Sequence, residues 1–192
     1  MKIVLPLILS VFLTTFICAQ CEYAINEIDD FTNDKHVVSK KVKFAVKGSY
    51  YGNLQFSRKG EEAWLRVDVF DRKIECYDLE TKMYFKFENG DVISMKNVEN
   101  QIRQNSQTIT TDKGERLEIS GIENANCRGR KLFKAQLSDA DFKKFQKQAL
   151  EKVRVENASR YFDHEVPMKY RTKITQNAAC VDLGIQLLDL RQ

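Results

Sequence analysis

Between Lys40 and Leu137, apolar residues recur at every second position. The pattern is clearest in "KKVKFAVK", "NLQFSRK" and "AWLRVDVF", and it places these apolar residues in phase: Val42, Phe44, Val46, Leu54, Phe56, Leu65, Val67 and Val69. Because side chains alternate between the two faces of a strand, this period gives each strand one apolar and one charged face. Antiparallel sheets tolerate one solvated face, whereas parallel sheets covered on both sides do not. The sequence therefore predicts an antiparallel sheet or sandwich.

A hairpin is predicted within "KMYFKFENGDVISMKNV". Asn89 and Gly90 separate two alternating segments, and Asn-Gly favours a two-residue type I′ turn, in which both residues have a positive φ. Farther along, "ERLEISGI" and "KLFKAQL" continue the alternation at Leu117, Ile119, Phe133 and Ala135.

The period then changes from two to that of a helix. In "SDADFKKFQKQAL", Ser138 followed by Asp141 is an acidic variant of the capping box. Phe142, Phe145 and Ala149 fall on one face, which predicts a short amphipathic helix around 138–150 that packs on the sheet.

A second helix is predicted after Pro167, around 168–182. Apolar residues recur there at spacings of three and four, as an α-helix requires: Tyr170, Ile174, Ala178, Val181 and Ile185. Met168, Tyr170, Thr172 and Ile174 also alternate, so a strand is the competing interpretation. With the strands, the two helices define an α+β fold.

The first twenty residues are typical of a secretory signal. Lys2 is the only charged residue before Glu22, and an apolar run ends in the small residues Cys18 and Ala19. We expect cleavage between Gln20 and Cys21, which leaves residues 21–192 as a single globular domain. The apolar run is shorter than the roughly 20 residues that span a bilayer, so no transmembrane span is expected in the mature chain.

The predicted location is therefore outside the cytoplasm, either periplasmic or secreted. A lipid anchor on Cys21 or Cys18 is the minor alternative, because the residues before them, Gln20 and Ile17, are not small. Four cysteines remain after cleavage: Cys21, Cys76, Cys127 and Cys180. They permit two disulfides in three connectivities, and we favour at least one disulfide over four buried thiols.

An acidic cluster, "NEIDDFTND", offers candidate ligands for calcium at Glu27, Asp29, Asp30 and Asp34. The spacing does not match an EF-hand loop. The favoured interpretation is a solvated segment in which Ile25, Ile28 and Phe31, spaced by three, dock on the core as one helical turn.

A basic stretch runs from Arg128 to Arg154, and an anionic partner would be attracted to it. Its members are Arg128, Arg130, Lys131, Lys134, Lys143, Lys144, Lys147, Lys152 and Arg154. Phe142 and Phe145 have core spacing instead of forming stacking platforms, so nucleic acid is not predicted as a partner. The favoured interpretation is the solvated face of an amphipathic helix.

No catalytic motif is present, and no cofactor is predicted. A hydrolase would use His164 as its base, beside Asp163 and Glu165, since such sets are recognised by geometry and not by sequence order. His36 is the other histidine. An exposed charged turn around His164 is the favoured interpretation.

The segment "ICAQCEYAINEIDDFTNDK" resembles a group of uncharacterised exported proteins of the Bacteroidota, in which a signal ending in Ala-Gln precedes Cys-x-Tyr-x-x-Asn-x-x-Asp-x-Phe-Thr. The corresponding residues are Cys21, Tyr23, Asn26, Asp29 or Asp30, Phe31 and Thr32. The likeness extends loosely through "KFENGDVI" and "LSDADFKKF". It implies cleavage after Gln20 and a single domain, and it brings no known activity, so no site residue can be carried over.

From these observations we expect an exported envelope protein that acts as a non-catalytic binding or structural domain. Its partner would be another envelope protein or an anionic ligand. The alternatives are a hydrolase centred on His164 and a calcium-stabilised envelope protein.

Overall fold

The computed structural model describes residues 21–47, 50–71, 77–99, 105–110, 116–121, 129–156 and 161–190. These ranges contain twelve strands and two helices. The strands are β1 (Tyr23–Ile28), β2 (Lys35–Ser39), β3 (Val42–Lys47), β4 (Tyr50–Lys59), β5 (Glu62–Asp71), β6 (Lys82–Phe87), β7 (Val92–Lys96), β8 (Asn105–Thr110), β9 (Arg116–Gly121), β10 (Gly129–Leu137), β11 (Leu150–Glu156) and β12 (Tyr161–Glu165). The helices are α1 (Asp139–Lys147) and α2 (Met168–Asp189).

The strands form antiparallel sheets, as the alternation predicts. The first sheet has the order β1-β2-β4-β5-β10, with β3 also paired to β4, and the second has the order β12-β11-β6-β7. Strands β8 and β9 pair with each other. In the first sheet, Leu54 lies opposite Val67 and Phe56 opposite Leu65, while Phe133 flanks Val67 from the other side. These apolar rows confirm the predicted α+β fold with its antiparallel sheets.

The predicted alternation fails in strand β3. Val46 is exposed, although its phase predicts burial, and Ala45 is buried beside Phe44. The ladder between β3 and β4 is irregular between Lys43 and Ala45. A bulge of this kind adds one residue to a strand and turns the following side chains to the other face.

The hairpin between β6 and β7 forms where it is expected, but the predicted type I′ turn is wrong. Gly90 has a φ of 91°, whereas Asn89 is not among the described residues with a positive φ. The Gly90 N–H donates to the Phe87 carbonyl at 3.0 Å, and the Phe87 N–H donates to the Asp91 carbonyl at 2.9 Å. This is a three-residue loop in which a turn is followed by a left-handed glycine, and only that one position requires glycine.

Both predicted helices are present. The Ser138 hydroxyl caps α1 by accepting the Asp141 N–H at 3.1 Å, and Phe142 and Phe145 are buried. The C-terminal segment is a helix and not a strand, and it continues to Asp189, past the predicted end at residue 182.

The two large sheets and both helices share one hydrophobic core. The Phe145 ring of α1 lies 5.3 Å from Phe56 in the first sheet, and 5.3 Å and 5.2 Å from Phe85 and Phe87 in the second. Beside β10, the Val98 N–H donates to the Lys134 carbonyl at 2.9 Å, so the end of β7 approaches the first sheet.

Helix α2 packs closely on the first sheet. A Cβ atom at Gly184 would lie 2.8 Å from Val37 Cγ1 and 3.0 Å from Tyr23 Cε1, so only glycine fits there without a shift. The Arg58 guanidinium donates to Asp182 of α2 at 2.8 Å and to Asp139 of α1 at 2.5 Å. The side chain of Arg58 on β4 thus forms hydrogen-bonded ion pairs with both helices.

Some predictions lie outside the described residues: the signal in residues 1–20 and the cysteines Cys76 and Cys127. None of the helices within the described ranges is long and apolar enough to cross a membrane.

Candidate functional site

A cleft with a volume of about 570 Å³ lies between the start of β3 and the first half of α2. Four lysines line it: Lys40, Lys41, Lys43 and Lys173. Glu22 contributes the one carboxylate among the described lining residues, and Tyr170, Gln176 and Asn177 contribute polar groups from α2. We call this feature the lysine cleft.

The lysines are brought together by a break between two strands that lie on the same side of β4. Strands β2 and β3 lie end to end along β4, since Val38 pairs with Ser57 and Val42 pairs with Leu54. The Ser39 hydroxyl accepts the Phe56 N–H at 3.0 Å and so satisfies the ladder where β2 ends. The two residues of the break, Lys40 and Lys41, are therefore not paired with residues of β4.

Helix α2 is fastened to this break from the other side. The Asn177 side-chain amide donates to the Lys40 carbonyl at 2.7 Å, and the Lys40 N–H donates to the Glu22 carbonyl at 3.2 Å. The break thus has a defined backbone position, and Lys173 on α2 faces the same cleft as the lysines of the strand.

Two of the four ammonium groups are paired and two are not. Lys40 Nζ lies 3.1 Å from Glu22 Oε2, and Lys41 forms an ion pair with Asp68, whose side chain is only 4% exposed. Lys43 and Lys173 have no ion pair within the part of the chain that the structure describes. The cleft therefore carries a net positive charge, which raises the local concentration of anions.

A disulfide between Cys21 and Cys180 forms part of the cleft wall. The two cysteines are 159 residues apart in the sequence, and the bond fixes the chain next to Glu22 against α2. The Tyr23 hydroxyl adds a hydrogen bond to the Cys180 carbonyl at 3.1 Å. The prediction of at least one disulfide is confirmed for this pair. Since a sulfur in a disulfide cannot also carry a thioether, the bond is incompatible with a lipid on Cys21.

The basic stretch between Arg128 and Arg154 does not form one surface. Lys131 is fully buried, and Lys134 Nζ lies 4.7 Å from the centre of the Trp64 ring. Arg154 donates to both oxygens of Asp163, at 2.6 Å and 2.8 Å, and thereby lowers the pKa of that carboxyl. The structure assembles a different set of lysines instead. The sequence signal for it is "KKVK", whose alternation by itself predicts only a strand.

The acidic cluster covers the end of β1, with Glu27, and the connection between β1 and β2, residues 29–34. The prediction of a helical turn there is wrong: Ile25 and Ile28 lie on strand β1, and Phe31 is 97% exposed. Asp29 accepts the Phe31 and Thr32 N–H groups at 3.0 Å and 3.1 Å, and these hydrogen bonds, with one from Lys59, lower its pKa.

The four calcium candidates do not converge on a common point. Asp29 is committed to backbone N–H groups, and Asp34 accepts the Thr32 hydroxyl at 2.9 Å. Within the ranges given above, no group of three or more His, Cys, Asp or Glu residues is arranged to hold a metal ion. The geometry gives the calcium hypothesis no support, and it stays a prediction.

His164 lies on strand β12 and is partly buried, so the predicted exposed turn is wrong. Its ring stacks on Tyr50 with the centres 4.3 Å apart and an interplanar angle of 15°. The neighbours Asp163 and Glu165 point to the opposite face of the strand, and Asp163 is held by Arg154. The Asp163 carboxylate is thus committed to a guanidinium and does not serve to orient the ring as the acid of a catalytic set would.

The cavity beside His164 has a volume of about 420 Å³. Lys47 and Lys152 line it, and its described lining contains no serine, threonine or cysteine that would act as a nucleophile. His36 lies on β2, in the other sheet. The hydrolase hypothesis likewise gains no support and stays a prediction.

No protein-family model, curated protein or solved structure matches this chain. The geometry of the lysine cleft is therefore the basis for any functional conclusion.

Proposed function

We propose that this protein is an exported binding domain that holds an anionic ligand in the lysine cleft. The observation that carries the proposal is the convergence of four lysines from the β2–β3 break, strand β3 and helix α2, against a single carboxylate among the lining residues that the structure describes. Two of these lysines, Lys43 and Lys173, form no ion pair with any described residue, so their charge is available to a ligand.

The dimensions and chemistry of the cleft suit a small ligand with several negative charges. Its volume falls within the roughly 300–1,000 Å³ that is usual for small-molecule sites. Lysine ammonium groups are compact point charges without the fixed fork of arginine, so they recognise total charge more than a planar, bidentate shape. Gln176 and the Tyr170 side chain add neutral polar contacts.

The proposed location is the periplasm or the cell exterior, with residues 21–192 as the mature single domain after cleavage at Gln20. An oxidising compartment is where a disulfide such as Cys21–Cys180 forms and persists. The resemblance to exported proteins of the Bacteroidota supports the same location. Binding requires no cofactor and no chemistry by the protein.

The test is the affinity of the oxidised protein for tripolyphosphate, measured by titration calorimetry at low ionic strength. We expect the double variant Lys43→Ala/Lys173→Ala to bind about tenfold more weakly or worse, because each unit charge lost near the ligand removes roughly 1 kcal/mol of attraction. The affinity of the unchanged protein should also fall as salt is added.

The matched control is Lys143→Ala, which removes an exposed lysine from α1, outside the cleft. Its affinity should equal that of the unchanged protein. Absence of binding by the unchanged protein, or equal binding by the double variant, would refute the proposal.

A further inference from the structure

The connection between β1 and β2, residues 29–34, presents one apolar side chain to solvent on a well-ordered turn. Phe31 is 97% exposed, the highest fraction among the large hydrophobic side chains described. Six hydrogen bonds within the turn define its shape, including Asn33 N–H to the Asp29 carbonyl at 2.8 Å and Asp29 N–H to the Asp34 carbonyl at 2.9 Å. A hydrogen-bonded turn reduces the backbone entropy that is lost on binding, and an exposed aromatic side chain is a frequent centre of protein interfaces.

This turn, which we call the Phe31 turn, is rimmed by carboxylates. Lys59 pairs with Asp29 at 3.3 Å, and Lys35 pairs with Asp189 of α2. Asp30, next to Phe31, is exposed and has no ion pair within the described residues. The surface around Phe31 is thus apolar at its centre and acidic beside it.

The lysine cleft is complementary to the Phe31 turn in charge and polarity. Its lining combines four ammonium groups with the apolar Val42 and the Tyr170 ring. Both halves of a charge-complementary interface are therefore present in the same chain. They lie at opposite ends of β1, since Glu22 precedes this strand and Asp29 follows it. Six strand residues span about 20 Å, so the Phe31 turn cannot occupy the cleft of its own molecule.

We propose that the Phe31 turn of one molecule docks in the lysine cleft of a second copy, so that the protein associates head to tail. Phe31 contacts Val42 and Tyr170 of the second copy, and Asp30 faces Lys43 and Lys173. Such an interface joins two different surfaces, so a dimer still has an unoccupied cleft on one molecule and an undocked Phe31 turn on the other. Further copies can bind at these two surfaces, and association therefore continues beyond the dimer as the protein concentration rises. This inference rests on the proposed function, because it takes the cleft to be an anion site.

The first measurement is sedimentation velocity of the oxidised protein from micromolar to millimolar concentration at low salt. We expect the mean mass to increase with concentration, and the association constant to fall as salt or tripolyphosphate is added. Phe31→Ala should weaken association about tenfold or more, since a central aromatic contact usually contributes at least that factor. Val92→Ala is the matched control, because Val92 is also exposed but lies on β7 of the other sheet.

A mixing experiment tests the head-to-tail arrangement directly. The turn variant Asp30→Asn/Phe31→Ala keeps an intact cleft, and the cleft variant Lys43→Ala/Lys173→Ala keeps an intact turn. Each alone should remain monomeric, whereas an equimolar mixture should form dimers and nothing larger. A mixture that stays monomeric, or a turn variant that associates as strongly as the unchanged protein, would overturn the inference.

The two proposals fail separately. If the unchanged protein binds tripolyphosphate but stays monomeric at millimolar concentration, the head-to-tail inference is wrong and the anion site stands. If it does not bind tripolyphosphate, the proposed function is wrong. Circular dichroism of all variants establishes that each is folded before its association is compared.

Discussion

At the scale of single residues, the acidic cluster shows how burial and hydrogen bonding give identical side chains different roles. Asp29 accepts two backbone N–H groups and so shapes the Phe31 turn, while Asp30 next to it makes no hydrogen bond that the structure records and is exposed. The sequence grouped both with Glu27 and Asp34 as candidate calcium ligands. Composition gave no means of separating them, because the direction of each carboxylate depends on the turn conformation.

The pKa of Asp29 is lowered by the Phe31 and Thr32 N–H groups and by Lys59, so the charged form stabilises the folded state. This contribution is complete above the unfolded-state pKa, near 3.8, and is lost as the pH falls through the lower folded-state value. We expect Asp29→Asn, which keeps the hydrogen-bond acceptor and removes the charge, to lower the melting temperature at neutral pH. The difference from the unchanged protein should vanish well below pH 3.8, as followed by circular dichroism.

Asp30→Asn is the control for this measurement, since it removes a neighbouring charge that holds no backbone group. Its melting temperature should follow that of the unchanged protein across the pH range. An Asp29→Asn variant with an unaltered melting temperature at neutral pH would contradict the assigned role.

At the scale of elements, the choice between helix and strand for the C-terminal segment α2 depends on how the segment packs. Its apolar spacing predicted a helix and identified all five of the named positions correctly as buried or partly buried, but alternation between residues 168 and 174 left a strand open. The structure decides for the helix because Ile174, Ala178 and Val181 are then buried together on the first sheet. Gly184 continues this face, and its role was not visible in the sequence, because the residues that approach it lie far earlier in the chain.

Gly184→Val tests this packing. The new side chain would overlap the Val37 methyl group and the Tyr23 ring, so we expect a loss of about 1–3 kcal/mol in the free energy of unfolding. The matched control is Ala179→Val, an exposed position in the same helix, which should cost only the roughly 0.5 kcal/mol of helix propensity. Urea denaturation measures both. Equal losses at the two positions would show that the close approach does not exist.

Strand β3 illustrates why elements are easier to predict than the orientation of their side chains. Its existence follows from alternation, whereas the bulge between Lys43 and Ala45 depends on pairing with β4 and places Val46 in solvent. The same dependence applies to the β6–β7 loop, where pairing of Phe87 with Asp91 selects a three-residue loop over the expected type I′ turn.

At the scale of the whole molecule, the Cys21–Cys180 disulfide joins the beginning of the described chain to its last helix. A bond that closes a loop of 159 residues restricts the unfolded chain strongly, and the loop-entropy model gives a stabilisation on the order of 5 kcal/mol. We expect the variant Cys21→Ser/Cys180→Ser to show a large decrease in the urea midpoint, and the reduced unchanged protein to behave similarly.

Peptide mapping by mass spectrometry checks the bond itself and provides the control. Under non-reducing conditions the peptides that contain Cys21 and Cys180 should be recovered as one linked species, without a lipid on Cys21. Recovery of Cys21 in a different linkage, or an oxidised protein no more stable than the double variant, would contradict this assignment.

The antiparallel sheets, helix α1 and the apolar spacing of α2 follow from the sequence alone, because these depend on periodicity over neighbouring residues. Packing between separate elements selects helix over strand for α2, and it also establishes which cysteines pair, where α2 ends and which lysines form a site. The lysine cleft brings residues 40–43 together with Lys173, more than a hundred positions later, through strand pairing and the Asn177 hydrogen bond to Lys40. Contacts of this kind leave no local pattern in a sequence, since they depend on how separate elements pack.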